Sequence, residues 1–342
     1  MSKAYSIAVL KGDGIGPEVT EAAVKVLEAV RDSTKKLDFN FLYGEAGYHS
    51  IAEYGTNLPP DTIALLKRAS ACLKGPMTTP EEPGAPVSVA VTLRRIFNLY
   101  ANVRPCLSFP SVEALKPSVD LVVVRENTEG LYSGAEFELA PGVGVALRII
   151  TREASTRIAE FAFKLAAKRR KHLTYVHKGN ILRITDGIFK GAVKEAALKY
   201  PDVIVEELHV DAATMQLIKK PESFDVIVTT NLFGDILSDE AAQVTGGLGL
   251  AAGANIGETY GMFEPVHGSA PKYAGKNRVN PVATIMAASM MLDYLGEKEA
   301  AGKIEKAVMS VLGEGKVRTA DLGGSCTTIE MGNAIASKIT AL

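Results

Sequence analysis

The stretch DVIVTTNLFGDILSDE, residues 225–240, decides the fold class. It opens on an unbroken apolar run, Val226 to Val228, without the in-out alternation of a half-exposed strand. Such a strand is buried on both faces, so helices must cover its sheet. The strand ends at Asn231, Gly234 permits a tight turn, and a helical segment carries Asp235 and Asp239. The same rhythm recurs outward from this point. DLVVVRE (120–126), HLTYVH (172–177) and VIVEELHV (203–210) read as further strands, and SIAVL (6–10) as the first. After SIAVL, a glycine-rich turn leads into a helix over residues 18–31. Pro17 suits its first position, and Val19, Ala23, Val26, Leu27 and Val30 fall at helical spacing. The class is α/β.

At 342 residues, two domains are expected. Hydrophobic residues at 47% and charged at 23% fit a globular protein and argue against disorder. Lys+Arg 38 against Asp+Glu 39 leaves a net charge of −1, which speaks against a nucleic-acid partner but allows a local basic pocket. No signal peptide precedes the first strand and no apolar stretch reaches membrane-spanning length, so a cytoplasmic protein without membrane association is expected. Cys72, Cys106 and Cys326 show no metal-ligand spacing and read as free thiols.

Three segments interrupt the rhythm. Residues 133–148 alternate weakly around Pro141-Gly142 and read as an exposed antiparallel hairpin. A lone hairpin is marginally stable, so a partner chain is expected to pack on it. GGLGLAAGANIG (246–257) reads as the place where the chain crosses between domains, and the basic run 168–171 as a solvated helix C-terminus.

Several residues can carry chemistry. Asp235 and Asp239 stand at i, i+4, which puts both carboxylates on one helix face. They suit a hard cation such as Mg²⁺ or Mn²⁺, or merely complement a helix dipole. Arg94 and Arg104, joined by Arg125 at the end of an apolar strand, need anionic partners. They suit a substrate with two or three carboxylates, or separate structural ion pairs; Arg95 is expected on the surface. Tyr132 and Lys178, near a metal and an arginine cluster, can have lowered pKa values and act as acid and base, although each alone reads as ordinary. KGDGIGPE (11–18) lacks the G-x-G-x-x-G spacing, so the Rossmann fingerprint is not met. His267 sits on a loop with Gly268, Ser269 and Pro271.

Taken together, the segments resemble the metal-dependent β-decarboxylating dehydrogenases, the family of isocitrate, homoisocitrate, 3-isopropylmalate and tartrate dehydrogenases. The resemblance rests on GDGIGPE (12–18), KGPMTTP (74–80), LRRIFNLYANVRP (93–105), VRENTEGLYSG (124–134) and VHKGNILRITDG (176–187). It continues through VDAATMQ (210–216), TTNLFGDILSDEAAQ (229–243), GANIG (253–257), FEPVHGSAPKYAGKNRVNP (263–281) and DLGGSCTT (321–328), and so covers nearly the whole chain. It implies a large twisted mixed sheet shared by two domains, not a Rossmann fold. Residues 1–95 with 252–342 would form the cofactor side. Residues 96–251 would carry substrate, metal and dimer contacts, with a clasp arm at about 133–148.

Residue by residue, the resemblance implies that Arg94, Arg104 and Arg125 grip carboxylates. Asp235 and Asp239 would hold the metal with Asp211 of the partner subunit of a homodimer. Tyr132 and Lys178 would be the acid/base pair, Lys178 also supplied by the partner. Thr79, the segment from Glu264 through His267, Gly268 and Ser269 to Ala270, and Val279 and Asn280 would meet the nicotinamide cofactor. Ser88 matches the serine that meets the third carboxylate of isocitrate, while Ala90 replaces the asparagine of that pattern, as in homoisocitrate enzymes. Lys272-Tyr273 resembles the NADP pattern, where NAD-using members carry an aspartate. Oxidative decarboxylation of isocitrate with NADP is therefore expected. Homoisocitrate or both acids come next, then 3-isopropylmalate, with NAD the alternative cofactor. A regulatory subunit without turnover would have lost some of these residues, and all are present.

Overall fold

The computed structural model describes residues 3–82 and 84–341. Among them, one mixed sheet of ten strands forms the centre. Its strands are β1 (Lys3–Leu10), β2 (Leu37–Gly44), β3 (Ala71–Lys74), β4 (Ala101–Leu107), β5 (Asp120–Glu126), β8 (His172–His177), β9 (Ile204–His209), β10 (Val226–Thr229), β11 (Ala252–Ile256) and β12 (Gly261–Pro265). A separate two-stranded ribbon, β6 (Glu136–Ala140) with β7 (Val143–Ala146), is the expected hairpin, exposed along nearly all its length. The order across the main sheet is β2-β1-β3-β12-β11-β4-β5-β10-β8-β9. Pairing is parallel at both ends and antiparallel through β12-β11-β4-β5 in the middle.

Among the described residues eleven helices accompany these strands: α1 (Gly16–Thr34), α2 (Ser50–Tyr54), α3 (Pro60–Leu66), α4 (Val89–Ile96), α5 (Arg152–Ala167), α6 (Thr185–Ala197), α7 (Val210–Lys219), α8 (Asn231–Val244), α9 (Val282–Tyr294), α10 (Lys298–Glu314) and α11 (Thr328–Ala341). One core packs β1, β3 and β12 against α1, α9, α10 and α11, drawing on both chain ends. Another packs β5, β8 and β10 against α5 and α6, and a third fills the opposite side of those strands with α7 and α8. β5, β8 and β10 are thus buried on both faces, as their unbroken apolar runs require.

The structure revises or extends four local readings. VIVEELHV forms β9 at the sheet edge, and it is mostly exposed; Glu206 and Glu207 suit it to an edge. GGLGLAAGANIG also supplies β11, a central strand paired antiparallel with β12 and β4. The basic run is not simply solvated. Arg169 pairs with Asp120 and Asp225 at 2.7 Å each and ties the end of α5 to the starts of β5 and β10. Gly234 lies inside α8, not in a turn. A Cβ there would fall 2.6 Å from Arg125 Cβ, so glycine is what lets α8 cross the end of β5.

Candidate active site

Strand ends and helix starts bring the basic residues together. Arg125, next to last in β5, is 1% exposed. Its Nε and Nη2 donate to Asn231 Oδ1 at 3.0 and 2.7 Å, and Nη1 donates to Asp235 Oδ1. Its guanidinium lies 4.8 Å from the centre of the Tyr132 ring. Arg104, on β4, donates to Asn102 Oδ1 at 2.8 Å, Ser238 Oγ at 2.7 Å and Asp239 Oδ1 at 2.9 Å, and lies 3.1 Å from Asp235 Oδ1. Arg94, in the last turn of α4, donates to Asn255 Oδ1 at 3.0 Å and approaches Glu264 Oε1 at 3.5 Å. Glu264 also takes the ammonium of Lys74 at 2.6 Å and the Asn255 amide at 2.8 Å. A cavity of about 160 Å³ opens here, lined by Lys74, Ala90, Arg94, Arg104, Glu264 and His267 among others. The expected surface position of Arg95 holds: it is exposed, and its Nη2 donates to the Tyr132 and Ser133 carbonyls.

This charge density sets the protonation states. Burial raises the Asp235 carboxyl, but Arg125 and Arg104 outweigh it and hold the group below its usual value. Asp239 goes the other way, pushed up by burial and helped by the neighbouring Asp235 charge. Burial likewise raises Glu264, and Lys74 and Arg94 reverse it, bringing the group down to about 2. Arg125 is lowered to about 10 by burial and by the like charge of Arg94. The Tyr132 hydroxyl donates to Asp235 Oδ2 and is raised, first by burial and then by that bond. In the metal-free chain the Tyr132 hydroxyl is thus shifted up, and it stands as a hydrogen-bond donor to Asp235.

Asp235 and Asp239 share the face of α8 that meets Arg104. Their oxygens fit Mg²⁺ or Mn²⁺. Among the described residues no third acid, histidine or cysteine joins them. Asp211, at the start of α7, instead pairs with Lys178 at 2.7 Å, on the rim beyond β8. One chain therefore offers two carboxylates to a metal.

The expected cofactor residues divide. His267 donates from Nδ1 to the Gly268 carbonyl at 3.0 Å, its Nε2 is buried without a partner among the described residues, and burial lowers its pKa. A neutral ring with a free acceptor fits an amino-purine edge. Ser269 Oγ lies 2.7 Å from Thr78 Oγ1, Gly268 is exposed, and Ala270 is held at φ 39°, the left-handed region, so this loop is tightly shaped. Thr79, Lys272 and Tyr273 are exposed, with the Lys272 ammonium 5.0 Å above the Tyr273 ring. Val279 is half-buried and its carbonyl accepts from Thr328 Oγ1. Asn280 is largely spent within the chain: it donates to Asp321 at 3.0 Å and accepts from Val282 N at 3.0 Å, at the start of α9. Ser88 stands at the N-cap of α4 and makes no capping bond with its hydroxyl.

Sequence reading passed over the amides that aim the arginines. Asn255 Oδ1 collects Arg94, Asn102 and Asn127, and Asn231 holds Arg125. The available signal was an asparagine inside buried strand and helix starts, at GANIG and TTNLF.

Comparison with known proteins agrees with this geometry. The family model described as isocitrate/isopropylmalate dehydrogenase matches residues 6–335. The chain is 48% identical over 340 residues to a 3-isopropylmalate/3-methylmalate dehydrogenase of Methanocaldococcus jannaschii, covering 98% of this chain and 99% of the relative. It is 49% identical over 342 residues to an isocitrate/homoisocitrate dehydrogenase of Thermus thermophilus, covering 99% and 100%. The crystal structure of isocitrate dehydrogenase from Methylococcus capsulatus superposes with a TM-score of 0.93 at 45% identity, covering 98% of this chain and 99% of that one.

Proposed function

The chain belongs to the isocitrate/isopropylmalate dehydrogenase family of metal-dependent, decarboxylating dehydrogenases, and from that premise we propose that it oxidises and decarboxylates isocitrate to 2-oxoglutarate and CO₂ with NADP⁺ and Mg²⁺ or Mn²⁺. The observation that carries the substrate choice is the Ser88 hydroxyl, which stands at the start of α4 without a capping bond and suits a third carboxylate. Lys74, Arg94, Arg104 and Arg125 face Asp235, Asp239 and Glu264, four cations against three carboxylates. One net positive charge remains; a divalent cation would raise it to three and Asp211 of the partner subunit would bring it back to two, so the cleft suits a polyanion of either two or three carboxylates. 3-Isopropylmalate, a dianion, offers Ser88 an isopropyl group in place of a third carboxylate. Homoisocitrate is the second reading: it has the same charge and one more methylene, and Ala90 leaves room for that methylene on the cavity wall.

In this reading Arg94, Arg104 and Arg125 hold the substrate carboxylates through planar forks, and the unspent Ser88 hydroxyl meets the third carboxylate. A divalent cation at Asp235 and Asp239, completed by Asp211 of the partner subunit, supplies Lewis-acid polarisation of the hydroxyl and its neighbouring carboxylate. Lys178 of the partner subunit accepts the hydroxyl proton as hydride is lost from C2. After CO₂ departs, Tyr132 returns a proton to carbon, which its raised pKa suits it to do. The chain's own Lys178–Asp211 pair would serve the other site of a homodimer. The unpartnered His267 Nε2 supports an adenine contact, and Lys272 with Tyr273 supports a 2′-phosphate.

Purified protein is expected to reduce NADP⁺ and release equimolar CO₂ from isocitrate, to lose both activities with EDTA and to regain them with Mn²⁺. Chelator-resistant turnover, or cofactor reduction without CO₂, would sink the reading.

A further inference from the structure

The turn that presents Lys178 is held from both sides by buried side chains. His177, the last residue of β8, is fully buried. Its Nδ1 accepts the backbone N–H of Gly179 at 2.9 Å, so the ring proton resides on Nε2. Nε2 donates to Glu207 Oε1 at 3.0 Å, across on β9. Glu207 is itself fixed by Lys190 at 2.5 Å and by the Tyr175 hydroxyl. Burial raises its carboxyl, but Lys190 and Tyr175 outweigh this and bring it down to about 2, so it stays an acceptor near neutral pH. On the other side, Lys178 N–H donates to Asp186 Oδ2 at 2.6 Å, and Asp186 is buried and paired with Arg148 at 2.7 Å. The ring sits so close to the chain that a Cβ on Gly179 would lie 3.1 Å from Nδ1.

Both peptide N–H groups flanking the Lys178 Cα are therefore pinned. A lysine side chain has four rotatable bonds and cannot be aimed from its far end, so its launch direction depends on this backbone. We propose that His177 is a positioning residue: oriented by Glu207, it uses Nδ1 to lock the Lys178–Gly179 turn and thereby aims the Lys178 amine at its reaction partner. The proposal rests on the reading of Lys178 as the base.

Two replacements of His177 in the full-chain enzyme separate its two bonds. In His177→Asn the amide oxygen lies near the Nδ1 position and keeps an acceptor for Gly179. In His177→Gln the amide nitrogen reaches Glu207 and leaves Gly179 without one. His177→Gln is expected to lower kcat by about 100-fold with KM nearly unchanged, whereas His177→Asn restores kcat to within about fivefold of the parent. In a Lys178→Ala background, His177→Gln should cost nothing further, because the group it aims is gone; a merely structural role would add its full loss. Unaltered kcat in His177→Gln, or additive losses, overturns the proposal. If His177→Gln does not fold, kcat in folded His177→Asn decides, and a 100-fold loss there rejects the Nδ1 lock. Full activity in Lys178→Ala alone would instead reject Lys178 as the base.

Discussion

Glu264→Gln isolates the electrostatics of the cleft. The Glu264 side chain is 12% exposed and lies between Lys74 at 2.6 Å and Arg94 at 3.5 Å. Its carboxyl falls from an ordinary 4.5 to about 2, and each pKa unit corresponds to about 1.4 kcal/mol, so the ionised form contributes roughly 3 kcal/mol. Because the folded pKa is depressed, this contribution is fully present above about pH 4.5. It is lost as the pH falls toward about 2. The glutamine keeps the shape and an acceptor for Lys74 but removes the charge, leaving two nearly buried cations uncompensated. Chemical denaturation of parent and variant between pH 2.5 and 7.5 is the assay. The variant should be less stable by roughly 3 kcal/mol at neutral pH, and the two curves should converge at the acid end. Parallel curves across the whole range would show that Glu264 is not held down by Lys74 and Arg94.

Three other substitutions probe the chemistry. Tyr132→Phe removes the proton donor without its stacking on Arg125 and should lower kcat by about 100-fold or more with KM little changed; a parent-like kcat would take Tyr132 out of the proton transfer. Asp235→Asn should weaken Mn²⁺ affinity, measured by titration calorimetry, by at least about tenfold, and metal-dependent turnover with it. Unchanged affinity would place the metal elsewhere. Lys272→Asp should shift the ratio of kcat/KM values toward NAD⁺, and an unaltered ratio would mean the 2′ position is read by other groups.

The α/β class was legible because β5, β8 and β10 are apolar on both faces, which only a helix-covered sheet tolerates. The hairpin over 133–148 was equally plain from its alternation and its Pro-Gly. β11 was not legible, because glycine and alanine give little strand signal and its partners, β4 and β12, are tertiary neighbours. At the site, residue types announced themselves: an arginine ending a buried strand and two acids one turn apart need partners. Which acid meets which base was not readable. Asp239 pairs with Arg104 from a strand 135 positions away in the chain, and Glu264, assigned to the cofactor loop, turned its carboxylate to Lys74 and Arg94. The direction of the Tyr132 shift also depended on burial that sequence does not report.

The central claim concerns the third carboxylate. A matrix of kcat/KM for isocitrate, homoisocitrate and 3-isopropylmalate, each with NADP⁺ and NAD⁺ at saturating Mg²⁺, tests it most directly. The account predicts the highest value for isocitrate with NADP⁺, homoisocitrate next, and 3-isopropylmalate lower by at least about 100-fold, because it lacks the carboxylate that Ser88 would meet. A preference for 3-isopropylmalate over both tricarboxylates would contradict it.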